Sequence, residues 1–274
     1  MGYNYLKDLD TGPVRRFEID RTRPCSARIW NYWLGGKDYY PVDAETGEAV
    51  KAIYPGIVQV ARESRYFLSR AVRFLAGEHG VAQFLDIGTG MPNLDNTHLI
   101  AQRVIPEARV VYVDNDPLVM VHAQALLTPN PPAVTAYVYA DVREPGLILA
   151  AAAETLDFSR PIGLMMLGIL GNVADYHECR QIVARFVTAV PPGSYLVIND
   201  GTDTNPDRNA ATDQHNKGGA AQYYNRSPEQ IEGYFEGLEL VEPGVVSTPR
   251  WRPDVIALDA PGDLDVYCGV ARKP

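Results

Sequence analysis

Cysteine is scarce in this sequence, which has only Cys25, Cys179 and Cys268 among its 274 residues. The three are odd in number, lie far apart and form no C-x-x-C pair, so neither a disulfide framework nor a zinc site is indicated. The sequence also lacks a cluster of carboxylates at metal-ligand spacing, and no bound metal is expected. A few scattered thiols suit the reducing cytoplasm, where we expect the protein to work.

Long apolar runs are also missing, and none approaches the roughly 18 residues that a membrane span requires. The first residues, MGYNYLKDLD, contain no apolar leader segment. The formal charge is -9, from 25 basic and 34 acidic residues, so there is no broad positive field for nucleic-acid phosphates or anionic lipid. We therefore expect a soluble protein with neither a membrane nor a nucleic acid as partner, although a local basic patch stays open.

Two common catalytic patterns are absent as well. Without G-x-S-x-G or H-x-x-x-H, neither nucleophile-elbow hydrolysis nor metal-assisted hydrolysis is supported. His177 and His215 fall where a general base could lie, but a single loop histidine is more often solvated than catalytic. We therefore assign no catalytic residue from the sequence.

What the sequence does contain, from residue 83 onward, is an alternation of short β-branched runs with helical patterns, which is typical of βαβ units. The predicted strands are 83–88, 109–114, 134–141, 162–170 and 194–200, followed by 238–246 and 265–273. This predicts an α/β fold, Rossmann-like, with a seven-stranded mainly parallel sheet, helices on both faces and an antiparallel final hairpin. An Asn-, Asp- and Gly-rich loop is expected over 201–219, and Ser227-Pro228 marks a helix start.

Residues 1–80 have a different character and predict an arm and a helical cap, ahead of a cofactor-binding domain over 81–274. The arm is rich in arginine, and it is either a solvated tail or a segment that grips an acidic acceptor or a partner chain. Its arginines are Arg15, Arg16, Arg21, Arg23 and Arg28. The aromatic segment RIWNYWLGGKDYYPVD and a helix over about 58–77 follow. The segment is either static packing or a lid in which a Gly-Gly turn lets Tyr32, Tyr39 and Lys37 close over a ligand.

The stretch FLDIGTGMP carries the main chemical signal. Gly88 and Gly90 let the backbone turn tightly and approach a ligand at a helix start. The dinucleotide fingerprint needs a third glycine, where this chain has Asn93. The Asp86 carboxylate beside the loop would repel a pyrophosphate but would attract an ammonium or a sulfonium. These residues favour S-adenosylmethionine over NAD.

Two further acids follow successive strands. Asp114 ends the second strand, where a carboxylate can accept hydrogen bonds from ribose hydroxyls, and Asp141 ends the third. Each alone is more simply a helix cap. Together with Asp86, however, they would face one crevice at the carboxyl ends of the sheet, and helix capping explains that less well.

At this point the chain resembles a known family. FLDIGTG, VVYVDND, the ADV triplet and PPGSYLVI are similar to the successive motifs of class I S-adenosylmethionine-dependent methyltransferases. More narrowly, RIWNYWLGGKDYYPVD and the tail RSPEQIEGYFEGLELVEPGVV resemble a bacterial family of methyltransferase-like proteins whose biochemical role is not settled. The resemblance covers nearly the whole chain from about residue 24.

The resemblance implies S-adenosyl-L-methionine as the cofactor and a set of residues that would hold it. These are Asp86, Gly88, Thr89, Gly90, Asp114, Asn115, Asp141, Val142 and Gly168, to which the lid hypothesis adds Tyr32 and Lys37. In one respect the chain departs from the pattern: related sequences commonly have a Leu-His pair after the fourth strand, where this chain has Leu170-Gly171. A histidine base is therefore absent there.

The expected function is methyl transfer to an unidentified acceptor, for which the acidic balance and the apolar LGILGNV stretch favour a small molecule. Two alternatives remain open at this stage. One is a module that binds S-adenosylmethionine or S-adenosylhomocysteine without turnover, since a fold does not establish catalysis. The other is an NAD-dependent oxidoreductase, which Asp86 and Asn93 disfavour.

Overall fold

The computed structural model describes residues 19–92, 95–126, 134–254 and 262–274. Helices in these ranges are α1 (Ser26–Trp33), α2 (Pro41–Ile53), α3 (Ile57–His79), α4 (Thr97–Val104), α5 (Pro117–Leu126), α6 (Pro145–Ala152), α7 (Tyr176–Ala189), α8 (Pro206–Lys217) and α9 (Pro228–Gly233). Strands are β1 (Gln83–Ile87), β2 (Arg109–Asp114), β3 (Val134–Tyr139), β4 (Gly163–Leu167), β5 (Tyr195–Gly201), β6 (Glu239–Leu240), β7 (Val246–Ser247) and β8 (Val266–Arg272).

The strands form one mainly parallel sheet in the order β3-β2-β1-β4-β5-β8-β6, with β7 also paired to β8. The first five strands are parallel, and β8 runs antiparallel to its neighbours. This confirms the predicted fold class but corrects the strand count from seven to eight. The predicted strand 238–246 is interrupted by Pro243 and Gly244, because Pro243 has no N–H for the ladder, so two short strands flank the turn.

Alternate residues of the strands face two separate cores, so the sheet is covered on both sides. On one face, Phe84 and Met165 pack with Phe67 and Leu75 of α3. On the other face, Leu85 and its neighbours pack against α6 and α7. Because side chains on both faces of the sheet are buried, β1, β2, β4 and β5 appear as nearly continuous apolar runs in the sequence.

The cap is a third apolar cluster, built from both ends of the chain. Ile29 and Trp33 of α1 pack with Val60 of α3 and with Ala211 of α8. Helix α8 corrects the prediction of a loop over 201–219. Its start is marked by the Asn205 side chain, which accepts hydrogen bonds from the N–H groups of the first turn, with proline at the next position.

A buried ion pair secures the start of the cap. Arg28 Nε lies 3.0 Å from Asp43 Oδ2, and the two side chains are 4% and 0% exposed. Asp43 also accepts the N–H groups of Cys25 and Tyr40. Of the predicted arginine-rich arm, positions 15 and 16 lie outside the described residues. None of the helices described here is long and apolar enough to cross a membrane.

Candidate functional site

A cavity of about 660 Å³ lies outside the carboxyl ends of β1, β2 and β4, beneath the cap. In open α/β sheets ligands bind where the strand order changes direction, and here this point lies between β1 and β4. The floor is the sheet edge with its loops, and the walls come from α1, α3 and α8. The topology therefore places the loops after the strands and the cap helices around one space.

The glycine loop after β1 forms the floor. Gly88 and Gly90 have positive φ angles of 77° and 66°, which side chains other than glycine rarely adopt. The N–H groups of Gly88 and Thr89 donate to the Val113 carbonyl, which ties the loop to β2. A Cβ at Gly88 would lie 2.8 Å from the Ile169 side chain, so only glycine at this position lets the loop after β4 approach the glycine loop this closely. All three loop residues line the cavity.

Asp86, near the end of β1, is 3% exposed and lines the same cavity. Its Oδ2 accepts a 2.6 Å hydrogen bond from the Thr97 hydroxyl at the start of α4. Burial raises the pKa of Asp86 to about 6, and the Thr97 hydrogen bond and the Arg65 charge oppose that rise. The carboxylate is thus ionised at neutral pH but little solvated, which suits a cationic ligand group.

Asp114 ends β2 on the same side. Its Oδ2 accepts from the Gly90 N–H at 2.8 Å and its Oδ1 from the Asp116 N–H at 2.9 Å. Asp114 is not the cap of α5, since Asp116 Oδ1 accepts the Leu118 N–H there. Burial raises the pKa of Asp114 to about 6. A carboxylate oxygen can accept two hydrogen bonds, so Oδ1 and Oδ2 of Asp114 each keep capacity for a ligand hydroxyl.

Asn115, Asp141 and Val142 form the next part of the lining. Asn115 Nδ2 donates to Asp141 Oδ2 at 3.1 Å, which joins the ends of β2 and β3. Asp141 Oδ1 accepts the Arg143 N–H at 2.9 Å, so the acid closes a local turn and does not cap α6. The structure therefore brings the three predicted acids into one cavity, and none of the three caps the helix that follows its strand.

The loop after β4 shows which side chain fills the space at Gly171, where the sequence resemblance would place a histidine. Gly168, with φ of 69°, lines the cavity and donates its N–H to the Asn199 carbonyl. A Cβ at Gly171 would overlap the ring of Tyr223, which fills this space. The Tyr223 hydroxyl donates to Asp200, and burial together with that carboxylate raises its pKa well above the usual value. A phenol held in this way is a donor rather than a base.

Two predicted residues, Tyr32 and Lys37, are not brought to the cavity. Tyr32 donates to Glu48 Oε1 at 2.5 Å and packs edge-on against Tyr39, while Lys37 is exposed beyond the end of α1. For Tyr32 the physical reason is helical phase, since Trp30 and Asn31 occupy the face of α1 that lines the cavity, whereas Lys37 lies past the end of the helix. Tyr32 lies off that face, and we do not carry these two residues into the proposed cofactor site.

Several lining residues were missed by sequence reasoning. Arg65, on α3, donates to the Asp95 carbonyl at 3.0 Å and acts electrostatically on Asp86. A face of α8 also lines the cavity, through Arg208, Ala211, Thr212 and His215. Their i, i+3, i+4, i+7 spacing in the sequence indicates one face of a helix. This pattern could be used only after Asn205-Pro206 was recognised as a helix start.

The two candidate histidines are separated by the structure. His177 is on α7 and pairs with Gln181, away from the cavity lining. His215 lines the cavity, is 9% exposed and has Nε2 3.1 Å from the Ala221 carbonyl. With Nε2 as the donor there, Nδ1 carries a lone pair for which the described part of the chain supplies no partner. Burial lowers the pKa of His215, so the ring is neutral at pH 7.

Within the described ranges, no group of three or more histidine, cysteine, aspartate or glutamate side chains could hold a metal ion. The site offers instead carboxylates, backbone amides, apolar walls and the cations Arg65 and Arg208. Such a set can bind a polar ligand with charges of both signs.

Comparison with known proteins gives a consistent result. Residues 13–274 match the model of a family described as S-adenosyl methyltransferase. A DUF574 family protein from Streptomyces avermitilis is 42% identical, with a TM-score of 0.90 over 94% of this chain and 100% of that chain. A Thermobifida fusca protein described as a candidate methyltransferase is 40% identical, with a TM-score of 0.86 over 93% and 96%.

At greater distance the fold alone is shared. The plantazolicin methyltransferase BpumL, solved with a triazolic desmethylPZN analog and S-adenosylhomocysteine, is 9% identical, with a TM-score of 0.51 over 90% of this chain and 96% of that one. No protein of curated function matches the sequence at a significant level.

Proposed function

From the premise that this chain belongs to the S-adenosyl methyltransferase family, we propose that it methylates a small organic acceptor held beneath the cap. S-adenosylmethionine is its cofactor, and the alternative of an NAD-dependent oxidoreductase is set aside by this membership. The observation that carries the proposal is the single cavity shared by the glycine loop, the three strand-end acids and the cap helices.

The residues of the cavity fit this cofactor from end to end. Asp86 would face the ammonium and sulfonium charges, since its buried carboxylate has no cation within ion-pair distance among the described residues. Asp114 would accept the ribose hydroxyls. Asn115, Asp141 and the buried Val142 would surround the adenine. The positive-φ turns at Gly88, Gly90 and Gly168 would leave room for the ligand along the sheet edge.

Arg65 completes the fit at the amino-acid end. Arg65 is half-buried, lines the cavity together with the glycine loop and lies close enough to Asp86 to oppose the rise in the pKa of that acid. A cation next to a carboxylate is complementary to the carboxylate and ammonium groups of an amino acid. We therefore assign Arg65 to the carboxylate of the cofactor.

The bound cofactor supplies an activated methyl group, so the chain's own residues have to hold the acceptor in line with it and exclude water. Trp30, Trp33 and Tyr54 form an aromatic part of the lining. His215, through the free lone pair on Nδ1, would accept the proton that the acceptor loses. The three free cysteines support the cytoplasm as the compartment where this takes place.

The organisation into an arm and cap over residues 1–80 and a cofactor-binding domain over 81–274 is part of this proposal. It is supported by the cap cluster, which gathers Ile29 and Trp33 of α1 with Val50 of α2, although Ala27 of α1 also contacts one core of the sheet. Helix α3 belongs to both units, because its second half packs on the sheet.

The decisive experiment has two parts. Calorimetry should show binding of S-adenosylmethionine and S-adenosylhomocysteine, and no binding of NAD. Incubation with S-adenosylmethionine and fractionated metabolite extracts should then yield a small molecule whose mass increases by one methyl group. Binding of NAD instead of S-adenosylhomocysteine would contradict the cofactor assignment, and methylation confined to protein or nucleic acid would contradict the small-molecule acceptor.

A further inference from the structure

The face of α8 that lines the cavity carries a cation with no counterion. Arg208 is 5% exposed, and its Nε and Nη1 have no hydrogen-bond partner in the part of the chain that the structure describes. The ion pairs found in those ranges do not include it. An unpaired buried charge is strongly unfavourable, so Arg208 lacks an anion that a ligand can supply.

Neither Asp200 nor Asp265 forms an ion pair with Arg208, although Asp200 Oδ2 has no hydrogen-bond partner among the described residues. Asp200 accepts from the Tyr223 hydroxyl and from the Gly201 N–H, and Arg226 as well as Arg208 acts on its charge. Asp265 accepts from the Tyr54 hydroxyl and from Asn205. Arg208 therefore has no carboxylate of the described residues within ion-pair distance.

The space for the guanidinium is provided by the backbone of β5. A Cβ at Gly201 would overlap Arg208 Nη2, so glycine at this position lets the arginine lie against the strand end. The Tyr54 ring, 5.9 Å from the Arg208 Cζ, covers another side. Arg208 is therefore held in place on the cavity wall by packing, as expected for a preorganised binding group.

We propose that Arg208 binds a carboxylate of the methyl acceptor, and that the acceptor is a small carboxylic acid with an aromatic or apolar body. A guanidinium presents paired N–H donors along one edge, such as those of Nη1 and Nη2, and these match the two oxygens of a carboxylate. The neighbouring lining by Trp30, Trp33 and Tyr54 suits an apolar body. This inference rests on the proposed function, because it names the class of molecule that shares the cavity with the cofactor.

The carboxylate of the cofactor itself is the competing occupant. Arg65 lies beside Asp86 and the glycine loop, whereas Arg208 lies at the carboxyl end of β5 beside Gly201 and Tyr54. Two cations on different walls of one cavity fit two carboxylates from two ligands. The test has to separate them.

The experiment measures binding of acids against their neutral amides. Benzoate and benzamide lead a panel of paired aromatic and aliphatic acids and amides, titrated calorimetrically into the full chain with and without S-adenosylhomocysteine. The variants are Arg208→Gln, Arg208→Lys and Gly201→Ala, which leaves Arg208 in the chain but displaces its guanidinium. Arg185→Gln, at an exposed position on α7, is the matched control.

In the native protein and the control, at least one acid should bind about tenfold more tightly than its amide. The preference should vanish in Arg208→Gln and shrink in Arg208→Lys and Gly201→Ala, with affinity for S-adenosylhomocysteine unchanged. Equal binding of every acid and its amide, or a preference that survives Arg208→Gln, would overturn the inference. Loss of S-adenosylhomocysteine binding in the Arg208 variants would also overturn the inference, because Arg208 would then contact the cofactor. Failure of the native protein to bind S-adenosylhomocysteine overturns the proposed function separately, since the acid preference is also measured without it.

Discussion

The backbone N–H of Gly90 donates a 2.8 Å hydrogen bond to Oδ2 of Asp114, so the glycine loop after β1 and the carboxylate at the end of β2 form one unit. Through this bond Asp114 orients the loop and at the same time presents free acceptor capacity to the cavity. The role that we propose for Asp114 in the cofactor site is thus joined to a role in loop geometry.

Asp114→Ala should weaken binding of S-adenosylhomocysteine, because the ribose loses an ionised acceptor and Gly90 loses its anchor. Hydrogen bonds to a charged group are worth about 1.5 to 3 kcal/mol, which corresponds to a loss of roughly 10- to 150-fold in affinity. Calorimetry of the variant beside Asp213→Ala, an exposed position on α8, measures the difference. Equal affinity in the two variants would leave Asp114 with a purely structural role.

Binding of S-adenosylhomocysteine should weaken as the pH falls through about 6. The pKa values of Asp86 and Asp114 are both raised to about 6 by burial, and the bound ligand favours their ionised forms. Below that pH the acids must release protons on binding, so each one costs up to about tenfold in affinity per pH unit.

Calorimetry at about pH 5 and about pH 7.5, in buffers of different ionisation enthalpy, measures both the affinity and the protons released. Asp86→Asn should bind more weakly at neutral pH and lose its share of the pH dependence, while Asp114 keeps its own. An affinity that stays constant over this range would contradict the proposed contacts with both acids.

Asp43→Ala should destabilise the protein by about 3 kcal/mol or more, because it leaves the Arg28 guanidinium buried without its counterion. Two N–H groups lose their acceptor at the same time. Chemical denaturation measures the change in free energy of unfolding. The exposed pair Arg272–Glu239 offers the control, since Glu239→Ala should change stability by less than about 1 kcal/mol. Similar losses in both variants would show that burial of the Arg28–Asp43 pair is unimportant.

Hydrogen exchange over residues 28–42 should slow when S-adenosylhomocysteine binds, if the cap closes over the cavity as a lid. The amides of Trp30, Asn31 and Leu34 report on the face of α1 that lines the cavity. Helix α9, whose residues do not line the cavity, should exchange equally with and without ligand and serves as the internal reference. Exchange that is already slow without ligand and does not change would identify the segment as static packing.

Much of the sheet and its acids follows from the sequence by local rules. The strand runs and the helix over about 58–77 were predictable, since buried parallel strands read as apolar runs and helices as periodic ones. Asp86, Asp114 and Asp141 were also predictable as neighbours, because the carboxyl ends of parallel strands meet at one edge. The glycine loop was predictable as well, because its positive φ angles require glycine.

The side of the cavity that we propose for the acceptor was decided by the tertiary structure alone. Arg208 and His215 reach it because α8 forms and packs against α2, which comes from more than 150 residues earlier in the chain. The phase of α1, fixed by its packing in the cap, turns Trp30 and Asn31 toward the cavity and Tyr32 toward Glu48. Local propensity does not encode such long-range contacts, which depend on how whole elements bury their apolar faces against one another.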